Sequence, residues 1–280
     1  MKKNIFTSLL ALAFVTLFGC KGGEKAQEAI TIKGSDTMVQ LGQRWAEKYM
    51  ADHKDVQLQV TGGGSGTGIS ALINGTTDIC MASRPMKDAE KQQLLIKNKV
   101  AVTETVVARD GITIYLNTEN PVKELTFEQL RNIYLGNTKN WKEVGGKDAP
   151  IIIYGRENSS GTYSFFKEHI LENKDFANNV QSLPGTSAVV NAVKKDPNGI
   201  GYGGAGYAKD IKECAVKKDA NSPALLPVKE NIDNNSYPLS RNLYLYTSKA
   251  PEGKIKEFID WILTPAGQEV VTKEGYFAVR

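Results

Sequence analysis

Val56-Gln57-Leu58-Gln59-Val60 alternates apolar and polar residues, runs into Thr61-Gly62-Gly63-Gly64-Ser65-Gly66-Thr67-Gly68, and gives way to an apolar stretch from Ile69 to Ile73. A two-residue period marks a strand, and the following spacing suits a helix, so this segment is one strand-loop-helix unit. The same alternation continues outward. Ile30 to Ile32 precedes a helical pattern with Met38, Leu41, Trp45 and Tyr49 at three- and four-residue spacing. Asp78 to Ala82 reads as a buried strand, and Val106–Val107 and Gly111–Leu116 read as two more. Thr126-Phe127-Glu128-Gln129 has the form of a capping box, Ile151 to Ile153 is an apolar strand, and Thr162 to Leu171 is a helix. Ile255 to Leu263 is the last amphipathic helix, with Pro265 as its stop. Alternating elements of this kind give an α/β architecture.

Three loops share one design, with small and hydroxyl residues directly ahead of a helix. They are Gly34-Ser35-Asp36-Thr37-Met38, the segment Gly62 to Gly68 with five glycines in seven residues, and Asn158-Ser159-Ser160-Gly161-Thr162 preceded by Arg156. Helix starts carry N–H groups without intrahelical partners and a dipole that favours negative charge. Glycine lets a ligand approach the backbone, and hydroxyls can turn to donate. Such an end suits an oxyanion. Ordinary N-capping is the competing reading for any one loop, and Thr37 with Gln40 forms a capping box on its own. The glycine density of the second loop exceeds what capping needs.

No loop ends in Gly-Lys-Ser/Thr, so a nucleotide P-loop is excluded. Gly199-x-Gly201-x-x-Gly204 follows a helical stretch and starts no clear helix, so it reads as a turn with close backbone packing.

The chain ends bound the compartment. Lys2 and Lys3 precede an apolar run from Ile5 to Phe18 that is too short to span a bilayer as a mature helix. Leu17-Phe18-Gly19-Cys20 resembles a bacterial lipobox, with residues 1–19 as signal peptide, Cys20 as the lipidation site, and residues 20–29 as a flexible tether. An ordinary secretory signal is the alternative. Loss of residues 1–19 removes two lysines and lowers the formal charge from +4 to +2, which gives no reason to expect nucleic acid. Cys80 and Cys214 are expected as free buried thiols in different lobes. The two histidines, His53 and His169, form no cluster with zinc-ligand spacing, so neither a metal nor another cofactor is expected.

The sequence resembles the phosphate-binding proteins of bacterial phosphate-specific ABC transporters. The resemblance rests on Gly34 to Met38, Gly64 to Gly68, Asp78-Ile79-Cys80-Met81-Ala82-Ser83-Arg84 and Arg156-x-x-x-Ser160-Gly161-Thr162. The segments Ile133 to Gly136, Asn140-Trp141 and Thr264 to Glu269 support it. It implies a type II periplasmic binding protein fold, with two α/β lobes joined by two crossing strands and the ligand in the cleft. Val107–Asn117 and Leu239–Thr247 are the candidate crossings. Lobe one is then 30–110 plus 242–280, and lobe two is 111–241.

The resemblance also implies a monomeric exported lipoprotein on the periplasmic or cell-surface face of a bacterial membrane. It would be held by membrane lipid through Cys20 and would deliver inorganic phosphate to ABC permease subunits. Carried over by position, Thr37 and Met38 offer backbone N–H groups, Thr37 and Ser65 offer hydroxyls, and Arg156, Ser160, Gly161 and Thr162 close from the second lobe. Arg156 can present two parallel N–H groups. A surface salt bridge is its alternative role. Many family members have an aspartate where this chain has Arg84. Arg84 then contacts phosphate or neutralises Asp36, and Asp36 becomes the candidate acceptor of the phosphate proton, or else a simple N-cap. Other tetrahedral oxyanions (sulfate, molybdate, tungstate) are the alternative ligands. A serine hydrolase built on Ser65 or Ser160 lacks an adjacent general base and a Gly-x-Ser-x-Gly elbow, so the chain is expected to be a binder and not an enzyme. A structural or adhesive surface lipoprotein is the third class.

Overall fold

The computed structural model describes residues 29–279; the expected signal peptide, lipidation site and all but the last residue of the expected tether lie outside the described residues. In chain order β1 (Ile30–Gly34) leads through a 3-10 turn at Asp36–Met38 into α1 (Val39–Asp52). Then come β2 (Leu58–Thr61), α2 (Ser65–Asn74), β3 (Ile79–Ala82), α3 (Asp88–Asn98) and the long β4 (Thr103–Leu116). β5 (Glu124–Thr126), α4 (Phe127–Tyr134), β6 (Ile152–Arg156), α5 (Gly161–His169), β7 (Gln181–Leu183) and α6 (Gly185–Lys195) follow. β8 (Gly199–Gly204), β9 (Lys212–Lys217), α7 (Lys229–Asp233), β10 (Ser240–Thr247), α8 (Gly253–Ile262) and α9 (Pro265–Lys273) complete the described chain.

The strands run in the order β2-β1-β3-β10-β4-β8-β6-β7, with β9 on β4 and β5 on β9. β1, β2 and β3 are mutually parallel, as are β6, β7 and β8. β4 is the spine common to both halves. Its first part pairs antiparallel with β10, and its last part pairs with β8 and β9. Apolar side chains collect on either side of this spine. Ile32, Leu41, Trp45, Ile79, Leu243 and Phe258 pack in one cluster. Ile114, Leu130, Tyr134, Phe166, Ile200 and Leu239 pack in another. The result is two α/β lobes joined by the crossing of β4 and β10.

Four local readings change. The two strands at Val106–Val107 and Gly111–Leu116 are one strand, because the charges between them have partners: Arg109 reaches Asp233 at 3.4 Å and Asp110 pairs with Arg241. The Gly199-to-Gly204 segment is a buried strand and not a turn. Close packing does explain its glycines, since a Cβ at Gly201 would stand 2.5 Å from Val189 Cγ1. Pro265 does more than stop α8: it opens α9 at a position where a missing N–H costs nothing, and Thr264 is the cap. Thr37 forms no capping box, and Met38 is the side-chain-free cap of α1.

Cys80 lies in β3 and Cys214 in β9; both are free and buried. Burial raises both thiols, Cys214 up to about 12, so both remain protonated at physiological pH. No helix among the described residues is long and apolar enough to cross a membrane.

Candidate functional site

The loops that follow β1, β2, β3 and β6 converge at the carboxyl ends of their strands, where open α/β sheets hold ligands. On the first lobe, Gly64 N–H donates to Gly34 O at 3.0 Å and Ser35 N–H to Met81 O at 2.9 Å, which ties the three loops into one rim. Gly64 has φ +91°, a conformation that other residues rarely adopt, and this turn sets up the first turn of α2. Three serine hydroxyls line that rim. Ser35 Oγ donates to Ser83 Oγ at 2.9 Å, Ser83 Oγ lies 3.3 Å from Ser65 Oγ, and Ser83 N–H donates to Ser65 Oγ at 3.0 Å. Ser65 and Ser83 are fully buried.

The second lobe supplies the start of α5. Ser160 Oγ accepts from Thr162 N–H and Tyr163 N–H, both at 3.2 Å, and so caps the helix. Gly161 therefore stands as the first helical residue against the first lobe. A Cβ there would lie 2.4 Å from Ser65 Oγ and 2.7 Å from Ser83 Oγ. The two lobes are in contact. Gly66 N–H donates to Ser159 O at 2.9 Å, and Thr37 Oγ1 lies 2.9 Å from Thr162 Oγ1.

Charge also crosses the cleft. Arg156, at the end of β6, donates from Nη2 to Asp36 Oδ2 at 2.8 Å and from Nη1 to Thr186 Oγ1 at 2.8 Å. Its Nε is buried without a partner among the described residues. Asp36 also accepts from Gly63 N–H at 2.8 Å, so this carboxylate holds its own loop and the opposite lobe at once. Burial lowers the Arg156 pKa while Asp36 opposes that shift.

Of the residues singled out from sequence, the fold brings Asp36, Thr37, Ser65, Arg156, Ser160, Gly161 and Thr162 together. Met38 N–H donates to Ser35 O at 2.9 Å and so closes its own turn. Arg84 turns away: its two amino ends grip Glu90 at 2.8 and 2.7 Å, and Pro85 O accepts at 2.9 Å. Arg84 thus does not neutralise Asp36; Glu90 on α3 takes its charge, and Arg156 answers Asp36. Three further residues reach the site that loop motifs did not mark: Ser83, Arg241 and Asp110. Arg241 Nη2 donates to Thr162 Oγ1 at 3.0 Å and to Asp110 Oδ2 at 2.9 Å.

A helix start facing a helix start, with hydroxyls and a guanidinium at the seam, is a setting for a tetrahedral oxyanion. The comparisons agree. A PBP superfamily domain matches residues 21–266. The chain belongs to the PBP superfamily, in its branch of phosphate-binding proteins. The phosphate-binding protein PstS of Pseudomonas aeruginosa is 36% identical over 260 residues, covering 87% of this chain and 80% of that protein. PstS of Staphylococcus aureus is 36% identical over 295 residues, covering 99% of this chain and 89% of the relative. Among solved structures, a phosphate transporter substrate-binding protein assigned from Clostridium perfringens, crystallised with bound phosphate, superposes with a TM-score of 0.82 at 32% identity, covering 90% of this chain and 100% of that one. An ABC-type phosphate transport receptor from Vibrio cholerae gives a TM-score of 0.72 at 31% identity, with 89% and 99% covered. The first turns of α2 and α5 face each other across the seam between the lobes.

Proposed function

We propose that this protein binds inorganic phosphate between its lobes, outside the cytoplasmic membrane, and hands it to an ABC permease for import. One observation carries the reading: Gly161 at the start of α5 abuts Ser65 at the start of α2, so two helix N-termini meet at the seam between the lobes. An oxyanion at this seam meets amide, hydroxyl and guanidinium donors from both lobes. Its contacts are Thr37 and Ser65 from the first lobe, and Arg156, Gly161 and Thr162 from the second, with Ser160 holding the α5 start in place. About eight charge-assisted hydrogen bonds at ~1.5–3 kcal/mol each exceed the ~8 kcal/mol of a micromolar complex, and the surplus covers dehydration and closure. Calorimetric titration with phosphate, sulfate and molybdate tests the reading. Heat with phosphate alone supports it; equal affinity for sulfate or molybdate overturns the assignment of phosphate.

Binding, and not hydrolysis, suits the serines. Ser160 Oγ accepts two amide hydrogens and Ser65 Oγ meets only Ser83, so among the described residues neither hydroxyl has a histidine partner to act as its base.

Asp36 is better explained as an inter-lobe latch than as the proton acceptor, because Gly63 N–H and Arg156 occupy its two oxygens. Asp36→Asn is expected to weaken phosphate by about 10- to 100-fold, the scale of a lost charged hydrogen bond, while keeping the preference over sulfate. A selective loss of phosphate discrimination in competition titrations restores Asp36 as the acceptor.

A lipid on Cys20 would hold the monomeric protein at the membrane surface. The support is the spacing Leu17-Phe18-Gly19-Cys20 and the start of β1 at Ile30, which leaves residues 20–29 as tether. Cys20→Ser is expected to move the mature protein from the membrane pellet to the soluble fraction. Unchanged sedimentation with the membranes contradicts lipid attachment.

A further inference from the structure

Asp110 on β4 and Arg241 on β10 stand directly opposite each other in the antiparallel ladder that joins the lobes. Arg241 donates to Asp110 Oδ2 from Nε at 3.1 Å and from Nη2 at 2.9 Å. The same Nη2 reaches Thr162 Oγ1 at 3.0 Å in the second lobe and Thr37 Oγ1 at 3.4 Å in the first. Asp110 is 0% exposed and Arg241 8% exposed. The guanidinium carbon lies over the Phe165 ring, 5.5 Å from its centre, a cation–π contact. Its Nη1 is buried and has no partner among the described residues.

We propose that Arg241 is a second anion-binding guanidinium of the cleft, held by Asp110 on the crossing strands, and that it couples oxyanion capture to lobe closure. The inference rests on the anion reading of the cleft. Two features single Arg241 out. It donates to one threonine in each lobe, so both bonds exist together only when the lobes have closed. A threonine oxygen that accepts from Arg241 is also left with its own proton to direct elsewhere, and an anion oxygen is the fitting acceptor. Thr37 and Thr162 share a single proton with each other, so at least one hydroxyl hydrogen is free for this use. Asp110 balances the cation while the cleft is open, and its rigid placement spares Arg241 an ordering cost on binding. Arg156 and Arg241 thereby divide the work. Arg156 latches the outer side of the seam to Asp36, and Arg241 reads the anion from the hinge.

The test is phosphate titration, dissociation kinetics and small-angle scattering on three proteins: wild type, the double variant Asp110→Asn with Arg241→Gln, and Arg241→Lys. The double variant exchanges the ion pair for an amide pair and so leaves no lone buried charge. The wild type is expected to bind phosphate and contract. The double variant, with a thermal midpoint near wild type, is expected to bind about 100-fold more weakly through faster dissociation, with contraction only at high phosphate. Arg241→Lys keeps the charge without the fork and is expected to recover only part of the loss. A folded double variant within threefold of wild-type affinity overturns the assignment. Should it fail to fold, Arg241→Lys within threefold of wild type overturns it equally. Wild-type protein that gives no heat with phosphate overturns the anion reading beneath the proposal, which separates the two failures.

Discussion

Arg156→Ala is expected to weaken phosphate by about 100- to 1,000-fold, the range set by cutting one partner from a buried ion pair. The substitution removes the 2.8 Å bond to Asp36 and the 2.8 Å bond to Thr186, together with the buried Nε. It also leaves Asp36 facing the second lobe with no cation opposite. The Asp36 loss falls on the closed form, because Asp36 and Arg156 belong to different lobes, whereas the Thr186 bond lies within the second lobe. The unliganded protein should therefore stay folded but melt somewhat below wild type, while tight binding disappears. Calorimetry on the folded variant checks this. A near-wild-type isotherm removes Arg156 from the site.

Gly161→Ala is expected to produce a comparable loss by a different route, about 100-fold or more, since the barrier is steric and falls on closure. One methyl group at this position would lie 2.4 Å from Ser65 Oγ, 2.7 Å from Ser83 Oγ and 3.0 Å from Ser65 Cβ. Neither serine can turn aside without giving up the Ser65–Ser83 contacts that shape the first jaw. Gly161 does not have a positive φ, so alanine brings no backbone strain of its own, and the unliganded variant should be no less stable than wild type. Stability held or raised, with affinity lost, is the signature of a clash that exists only between closed jaws. Wild-type affinity in this variant shows that the lobes do not approach as described.

The legible parts of the chain are those governed by neighbours in sequence. Thr126 and Gln129 do form their capping box, with Gln129 N–H on Thr126 Oγ1 at 3.1 Å and Thr126 N–H on Gln129 Oε1 at 2.9 Å. The three glycine- and hydroxyl-rich loops stand out because each prepares its own helix start. Thr37 misled for the opposite reason. Its spacing to Gln40 fits a local cap, but its hydroxyl meets Thr162, 125 residues away. Arg109-Asp110 falls between the two stretches that read as separate strands, Val106–Val107 and Gly111–Leu116. Their partners, Asp233 and Arg241, lie 124 and 131 residues further on. Arg241 itself carries no local signal, since it sits in the polar run Ser240-Arg241-Asn242 that opens β10. Arg84 was readable in principle, as Glu90 stands six residues ahead and at the start of α3.

A crystal structure of the protein grown with phosphate locates the anion outright. Phosphate is expected at the seam between α2 and α5, within hydrogen-bond distance of Ser65 on one side and of Gly161, Thr162 and Arg156 on the other. Phosphate found instead in the 580 Å³ cavity lined by Arg84, Arg109, Arg241 and Tyr244, held by those arginines with Ser65 and Gly161 untouched, would rule out that placement.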